Sequence, residues 1–171
     1  MTEQNNQINQ NQLPNVQDIN QLLKVRRTKL AELQEAGKNP FEITKYDVTE
    51  KAGIIKDKFE EYEGKDVSIA GRIMSKRVMG KASFCNIQDV TGNIQSYVAR
   101  DEIGEESYKD FKKMDIGDIV GLKGKAFVTK MGEKSIHATE ITLLTKSLQI
   151  LPEKYHGLKD TDVRYRQRYI D

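Results

Sequence analysis

Between Asp66 and Asp89 the chain holds no acidic residue but four cations, Arg72, Lys76, Arg77 and Lys81, followed by an aromatic ring, Phe84. A second ring, Tyr97, lies in the next stretch of alternating polarity. Cations hold phosphates, and stacking a base on an exposed ring is worth about 1–3 kcal/mol, so this combination suits single-stranded nucleic acid and suits a duplex poorly. Glu140 is the odd member of the set. An acid repels phosphate but accepts hydrogen bonds from a base edge, although an exposed glutamate taken alone is ordinary solvated surface.

No catalytic constellation accompanies these residues. The chain has no glycine-rich phosphate loop of the Walker type, no cluster with metal-ligand spacing and no nucleophile with an identifiable base. Cys85 is the single cysteine, so there is no intrachain disulfide, and His137 and His156 lie far from it and from each other. Both histidines are expected to be structural. With 171 residues, 37% hydrophobic and 32% charged, the chain has material for one modest core and an appendage. Its net charge of +2 is too small for a uniformly basic binder, so any electrostatic footprint must be local. Neither a signal-peptide core nor an apolar run of the ~20 residues that span a bilayer is present, and a cytoplasmic protein without membrane attachment is expected.

The elements that would position the rings follow from hydrophobic period. From Asp66 the period is two: "DVSIAGRIM", "ASFCNIQD", "NIQSYVA", "DIVGLKGKAFV" and "SIHATEITLL" read as five strands, with turns at "DVTGN" and "KMGE". A polar helical stretch, "EESYKDFKKMD", separates the third strand from the fourth. This is the layout of an OB-fold: an all-β five-stranded barrel, here with an N-terminal α-helical extension. If Cys85, Ile87, Ile94 and Val98 point inward, then Phe84, Asn86, Gln88, Gln95 and Tyr97 point outward. In this fold the outer face of strands two and three, with the loop before strand two, is where oligonucleotides lie; that loop is expected to be "SKRVMGK". Two bland alternatives stand beside this reading. A parity slip of one would bury Phe84, and Tyr97 could serve only as a packing partner.

The N-terminal part divides in two. Residues 1–17 are dominated by Asn and Gln and cannot offset the entropy of ordering, so a disordered tail is expected, with a recruiting arm as the alternative. Residues 18–64 are expected to be helical. Ile19, Leu22, Leu23, Leu30 and Leu33 form a stripe from Asp18 to Gly37, and a second helix runs from Thr49 to Gly64 with Ala52, Ile55, Phe59 and Tyr62. "KVRRTK" places Lys24, Arg26, Arg27 and Lys29 on the first helix, with Arg26 on the apolar stripe itself. Either that arginine snorkels or its face meets phosphate. The barrel is assigned to 65–148 and a linker to 149–171, where "DTDVRYRQRYID" sets Tyr165 and Tyr169 on one helical face and Arg164 and Arg168 on another.

Taken together, "AGRIMSKRVMGKASFCNIQDVTGNIQ", "LPEKYHGLKD" and "RYRQRYID" closely resemble the N-terminal region of the bacterial lysyl-tRNA synthetase family, of class II, from about Asp18 to Asp171. The resemblance implies an OB-fold that binds the anticodon of a lysine tRNA. Catalysis would lie in a separate domain beyond Asp171, using ATP and Mg and forming a homodimer, so this chain itself would not aminoacylate. It implies that Phe84 stacks on an anticodon base, Gln95 reads a uridine edge, Arg77 helps hold the central uridine, Tyr97 supplies a second ring and Glu140 takes part in recognition. It also implies that Lys24, Arg26 and Arg27 touch tRNA backbone, with Lys76 and Lys81 flanking the barrel site. Two other classes remain: a free-standing, sequence-tolerant single-strand binder, and an interaction module that keeps the barrel without an RNA role.

Overall fold

The computed structural model describes residues 16–151. Most of the expected tail over 1–17, and all of the expected helix near Asp160, lie outside the described residues. Five strands, β1 (Asp66–Met79), β2 (Ala82–Gln88), β3 (Asn93–Ala99), β4 (Ile119–Val128) and β5 (Lys134–Thr145), close into a barrel in the order β1-β2-β3-β5-β4. Only the β3–β5 pairing is parallel. The chain between them runs through two helices, α4 (Arg100–Ile103) and α5 (Glu105–Lys113), and then β4, because a parallel pair cannot be joined by a hairpin. The expected alternation holds in β2 and β3: Cys85, Ile87, Ile94 and Val98 are buried, and Phe84, Asn86, Gln95 and Tyr97 lie on the other face, half-buried. Tyr108 and Phe111 of α5 join the core, and the Tyr108 hydroxyl lies 2.8 Å from Ser83 Oγ.

The alternation does not run straight through β1. Val67, Ile69 and Ile73 face inward, and by simple parity Arg77 would follow them into the core. A bulge between Ile73 and Ser75 inserts one residue, so that Ser75 pairs with Asn86, Lys76 with Cys85 and Arg77 with Phe84. Arg77 is thereby delivered to the outer face beside the ring. The expected loop "SKRVMGK" is not a loop: pairing continues to Met79↔Ala82, leaving only a tight turn at Gly80 and Lys81. Gly80 has φ 66°, the left-handed conformation such a turn demands.

Helix α1 (Val16–Glu35) ends as expected ahead of Gly37, whose φ of 69° lets the Lys38 N–H return to the Leu33 carbonyl at 2.8 Å. The second expected helix is divided. Thr49 does not start it; the Thr49 N–H donates to the Ser68 carbonyl and Thr49 Oγ1 accepts from Ser68 N–H, both at 2.9 Å, tying this residue to β1. Helix α2 (Ala52–Asp57) begins later and breaks at Lys58 before α3 (Phe59–Tyr62).

The start of α2 is capped from the β2–β3 turn. Asp89 Oδ2 accepts from Ala52 N–H at 2.7 Å and Thr91 Oγ1 accepts from Gly53 N–H at 2.9 Å, while Asp89 Oδ1 accepts from the N–H groups of Thr91 and Gly92. A Cβ on Gly53 would collide with the Thr91 carbonyl oxygen. Gly53→Ala is therefore expected to cost about 1–3 kcal/mol by overpacking, against a helix-propensity gain of about 1 kcal/mol, with a net loss in urea unfolding.

Burial works against the Asp89 charge, but hydrogen bonds from Thr91, Ala52 and Gly92 outweigh it and hold this carboxyl below its usual range. A depressed folded-state pKa means that stability is present above the unfolded value and lost as pH falls through the folded one. The stability gap between this chain and Asp89→Asn should therefore be larger at pH 7 than at pH 3, as measured by urea midpoints.

Helix α1 is held to the barrel by polar contacts at its middle. Arg26 Nη1 donates to the carbonyls of Ser147 (3.0 Å) and Gln149 (2.9 Å), and Nη2 donates to that of Ile116 (3.1 Å). Lys29 pairs with Asp115 at 2.6 Å, and Asp115 also pairs with buried Lys146. Lys146 lies 2.8 Å from Asp118, a carboxylate with no exposure at all.

Candidate nucleic-acid interface

Cross-strand register assembles the outer face. Arg77 is the partner of Phe84, Phe84 of Tyr97, Tyr97 of His137, and His137 of Lys125, a row that crosses all five strands in sheet order. The neighbouring row on β1, β2 and β3 is Ser75, Asn86 and Gln95. Phe84 and Tyr97 form a tilted ring pair with centroids 5.1 Å apart. Gln95 thus stands one strand over from Asn86 and two residues from Tyr97 on the same face. Arg77 is exposed, and among the described residues it forms no ion pair. A planar base laid on Phe84 would have a guanidinium on one side and, in the adjacent row, a carboxamide able both to donate and to accept.

Two of the expected phosphate cations are engaged elsewhere. Lys76, paired with inward-facing Cys85, turns beneath the barrel end. Its ammonium donates to the carbonyls of Phe111 (3.3 Å), Lys112 (2.9 Å) and Met114, closing the C-terminal end of α5 and lying 5.3 Å from the Phe111 ring centroid. Burial holds the Lys76 pKa below its usual value. Arg26 is half-buried and its guanidinium is bound to carbonyls; it is the clamp described above. Of the patch cations, Arg72 donates to the Gly117 carbonyl at 2.8 Å, leaving Arg77 and Lys81 exposed beside the rings, while Lys24 and Arg27 are exposed on α1.

Glu140 does not join the rings. It is exposed and lies 3.2 Å from Lys123 on β4, past a bulge in the β4–β5 ladder and beyond Ala138, the last β5 residue paired with β3. Three residues of strand separate it from His137, about 10 Å at the usual rise.

Two neighbours were not singled out from the sequence. Phe127 and His137 extend the aromatic surface: Tyr97 lies 5.1 Å from His137 and 6.4 Å from Phe127 between ring centroids, and Phe127 lies 5.6 Å from His137. The signal for both was present in period-two parity, since Ala126, Ile136 and Ala138 are inward and their chain neighbours must face out. Among the described residues, no group of His, Cys, Asp or Glu could hold a metal ion.

A family model described as an OB-fold nucleic acid binding domain matches residues 67–144. A lysine-tRNA ligase of Thermoanaerobacter sp. (strain X514) is 53% identical over 163 residues, covering 95% of this chain and 33% of that protein. A lysine-tRNA ligase of Clostridium tetani (strain Massachusetts / E88) is 54% identical over 155 residues, covering 91% of this chain and 31% of that protein. The chain thus spans about a third of the length of the curated relatives it matches. Residues 67–144 form an OB-fold domain, and nearly the whole chain is similar in sequence to part of the lysine-tRNA ligases.

Proposed function

We propose that this chain is the anticodon-reading part of a lysine-tRNA ligase of class II. The observation that carries the reading is the Phe84–Tyr97 ring pair on the barrel's outer face, with Arg77 as the cross-strand partner of Phe84 and Gln95 on the same face. Phe84 stacks on the central uridine of the anticodon. Gln95 pairs with the polar edge of that base through its amide, and Arg77 holds the base and the phosphate beside it. Tyr97 supports Phe84 and offers a further ring. Lys81, Lys24 and Arg27 contact backbone phosphate; Lys76 and Arg26 are left out because their cations are bound to carbonyls. Glu140 is assigned a subsidiary place at the margin, tied to Lys123.

The two thirds of the relatives' length that this chain does not cover would carry lysine activation with ATP and Mg, and the homodimer contact. The role assigned to this region is recognition, with lysine activation left to the part of the relatives' length that it does not span. The expected setting is the cytoplasm, where lysine tRNA is charged.

The test is binding of the 171-residue chain to a lysine-tRNA anticodon stem-loop and to an unpaired oligonucleotide of the same length, in filter assays at two salt concentrations. The reading predicts a clear preference for the stem-loop at both. Equal affinity, falling together as salt rises, would instead mark a sequence-tolerant single-strand binder.

A further inference from the structure

The outer half of the β1–β2 hairpin stands clear of the rest of the sheet. β4 pairs with β1 only from Asp66 to Arg72, so from Ser75 to Met79 β2 is the one strand beside it. A two-stranded ribbon is marginally stable in water, and apolar burial adds little here, because Val78 and Met79 are both exposed. Yet this stretch carries Arg77 and leads into Lys81 and Phe84, the residues assigned to RNA. Helix α5 holds it from two sides. Lys76 shares the inward face with its partner Cys85, and its ammonium donates to the carbonyls of Phe111, Lys112 and Met114. A carbonyl for each proton is what a partly buried ammonium requires. Earlier on the same helix, the buried Tyr108 hydroxyl donates to the Gly80 carbonyl at 3.0 Å and accepts from Ser83 Oγ at 2.8 Å. One strand of the hairpin and its turn are thus tied to one helix.

We infer that Lys76 and Tyr108 are positioning residues for the RNA site, holding the hairpin against α5 so that Arg77 stays beside Phe84. The bulge between Ile73 and Ser75 makes such an anchor necessary. Without the inserted residue, simple parity turns Arg77 inward and Lys76 outward. The bonds from Lys76 to α5 select the bulged register, because the inward face is the one from which its ammonium reaches the helix end. Phe84 needs no such help, since β3 pairs with β2 along its whole length. Neither Lys76 nor Tyr108 touches RNA; each acts through Arg77. This inference rests on the anticodon reading above for what Arg77 contacts, while the hold of α5 on the hairpin is measurable without RNA.

The test is a set of double-mutant cycles in the 171-residue chain, read as affinity for the lysine-tRNA anticodon stem-loop in filter binding. Arg77→Ala and Phe84→Ala are each made in the parent, in Lys76→Met, in Lys76→Arg and in Tyr108→Phe. In the parent, Arg77→Ala is expected to weaken binding about tenfold or more, as for loss of a hydrogen bond from a charged group. In Lys76→Met the same change should cost less than about threefold, a coupling of the size seen between residues that act as a unit. Phe84→Ala should cost as much in Lys76→Met as in the parent. Lys76→Arg keeps a cation able to donate to the same carbonyls and should restore most of the Arg77 contribution. Tyr108→Phe leaves every charge in place, so a reduced cost of Arg77→Ala in that variant separates lost position from lost charge. Hydrogen exchange of the free chain is the second readout. Amides from Arg77 to Ser83 should exchange faster in Lys76→Met and Tyr108→Phe, with those of β4 and β5 unchanged.

A Lys76→Met loss that adds in full to that of Arg77→Ala would make Lys76 a phosphate contact in its own right and overturn the inference. Unchanged exchange across the hairpin in both variants overturns it too, as does a Phe84 contribution that shrinks alongside that of Arg77. Failure of the anticodon reading looks different: the unmodified chain then shows no preference for the stem-loop and loses nothing on Arg77→Ala, while exchange still decides whether α5 holds the hairpin. If circular dichroism shows Lys76→Met to be unfolded, Tyr108→Phe decides the outcome, because it removes only a hydroxyl.

Discussion

Phe84→Ala is expected to weaken binding of the lysine-tRNA anticodon stem-loop by about 1–3 kcal/mol while leaving the barrel folded. The asymmetry comes from where the ring sits. Phe84 is on the outer face, and the inward positions beside it, Ser83 and Cys85, are buried without its help. What the fold loses is its cross-strand contact with Tyr97, worth about 0.5–1.5 kcal/mol for an aromatic pair. What the complex loses is the platform for a base. Filter binding and urea unfolding on the same preparation separate the two effects. Phe84→Trp, which keeps a ring, should restore most of the affinity. A chain in which Phe84→Ala binds as tightly as its parent would remove stacking from the account.

The largest effect on stability is expected at Asp118, far from the RNA face. Asp118 is fully buried and bonded on all sides: it accepts from the Lys146 ammonium at 2.8 Å, from Ser147 N–H at 2.8 Å and from Asp115 N–H at 2.8 Å. Asp118→Ala would leave a buried ammonium with Asp115 as its remaining carboxylate and two N–H groups without acceptors. Breaking a buried ion pair from one side costs about 3–5 kcal/mol, and the surviving Asp115 contact places this case toward the lower end. Ser147 is also the residue whose carbonyl binds Arg26, so the loss should spread to the docking of α1. Urea unfolding should show the loss, and amide exchange in α1 should accelerate more than in β2 or β3. A change below about 1 kcal/mol would mean that the cluster does not hold the two parts together.

The β2–β3 face was legible because both strands alternate without interruption, so the burial of Cys85, Ile87, Ile94 and Val98 dictates where Phe84, Gln95 and Tyr97 point. β1 was less so. Ile73 and Met74 are both apolar, as are Val78 and Met79, and nothing in that run marks the bulge that carries Arg77 outward. The fate of Lys76 depends on carbonyls at the end of α5, and that of Arg26 on carbonyls 90 to 123 positions away, partners that no local pattern names. Thr49 has the right chemistry for a helix cap, but β1 claims it and Asp89 caps α2 from a distant turn. His137 was set aside as a lone strand histidine. Its significance appears only when β5 lies parallel to β3 and brings it to Tyr97. The distance of Glu140 from the rings was not legible for the same reason, since a ladder bulge and the end of the β3–β5 pairing are properties of the closed barrel.

The most direct test of the account is the affinity of this chain for a lysine-tRNA anticodon stem-loop compared with the same stem-loop carrying cytidine in place of the central uridine. If Gln95 and Arg77 read that base on the Phe84 ring, cytidine should bind at least tenfold more weakly, about 1.4 kcal/mol, and Gln95→Ala should erase the difference. Equal affinities for the two stem-loops would contradict it.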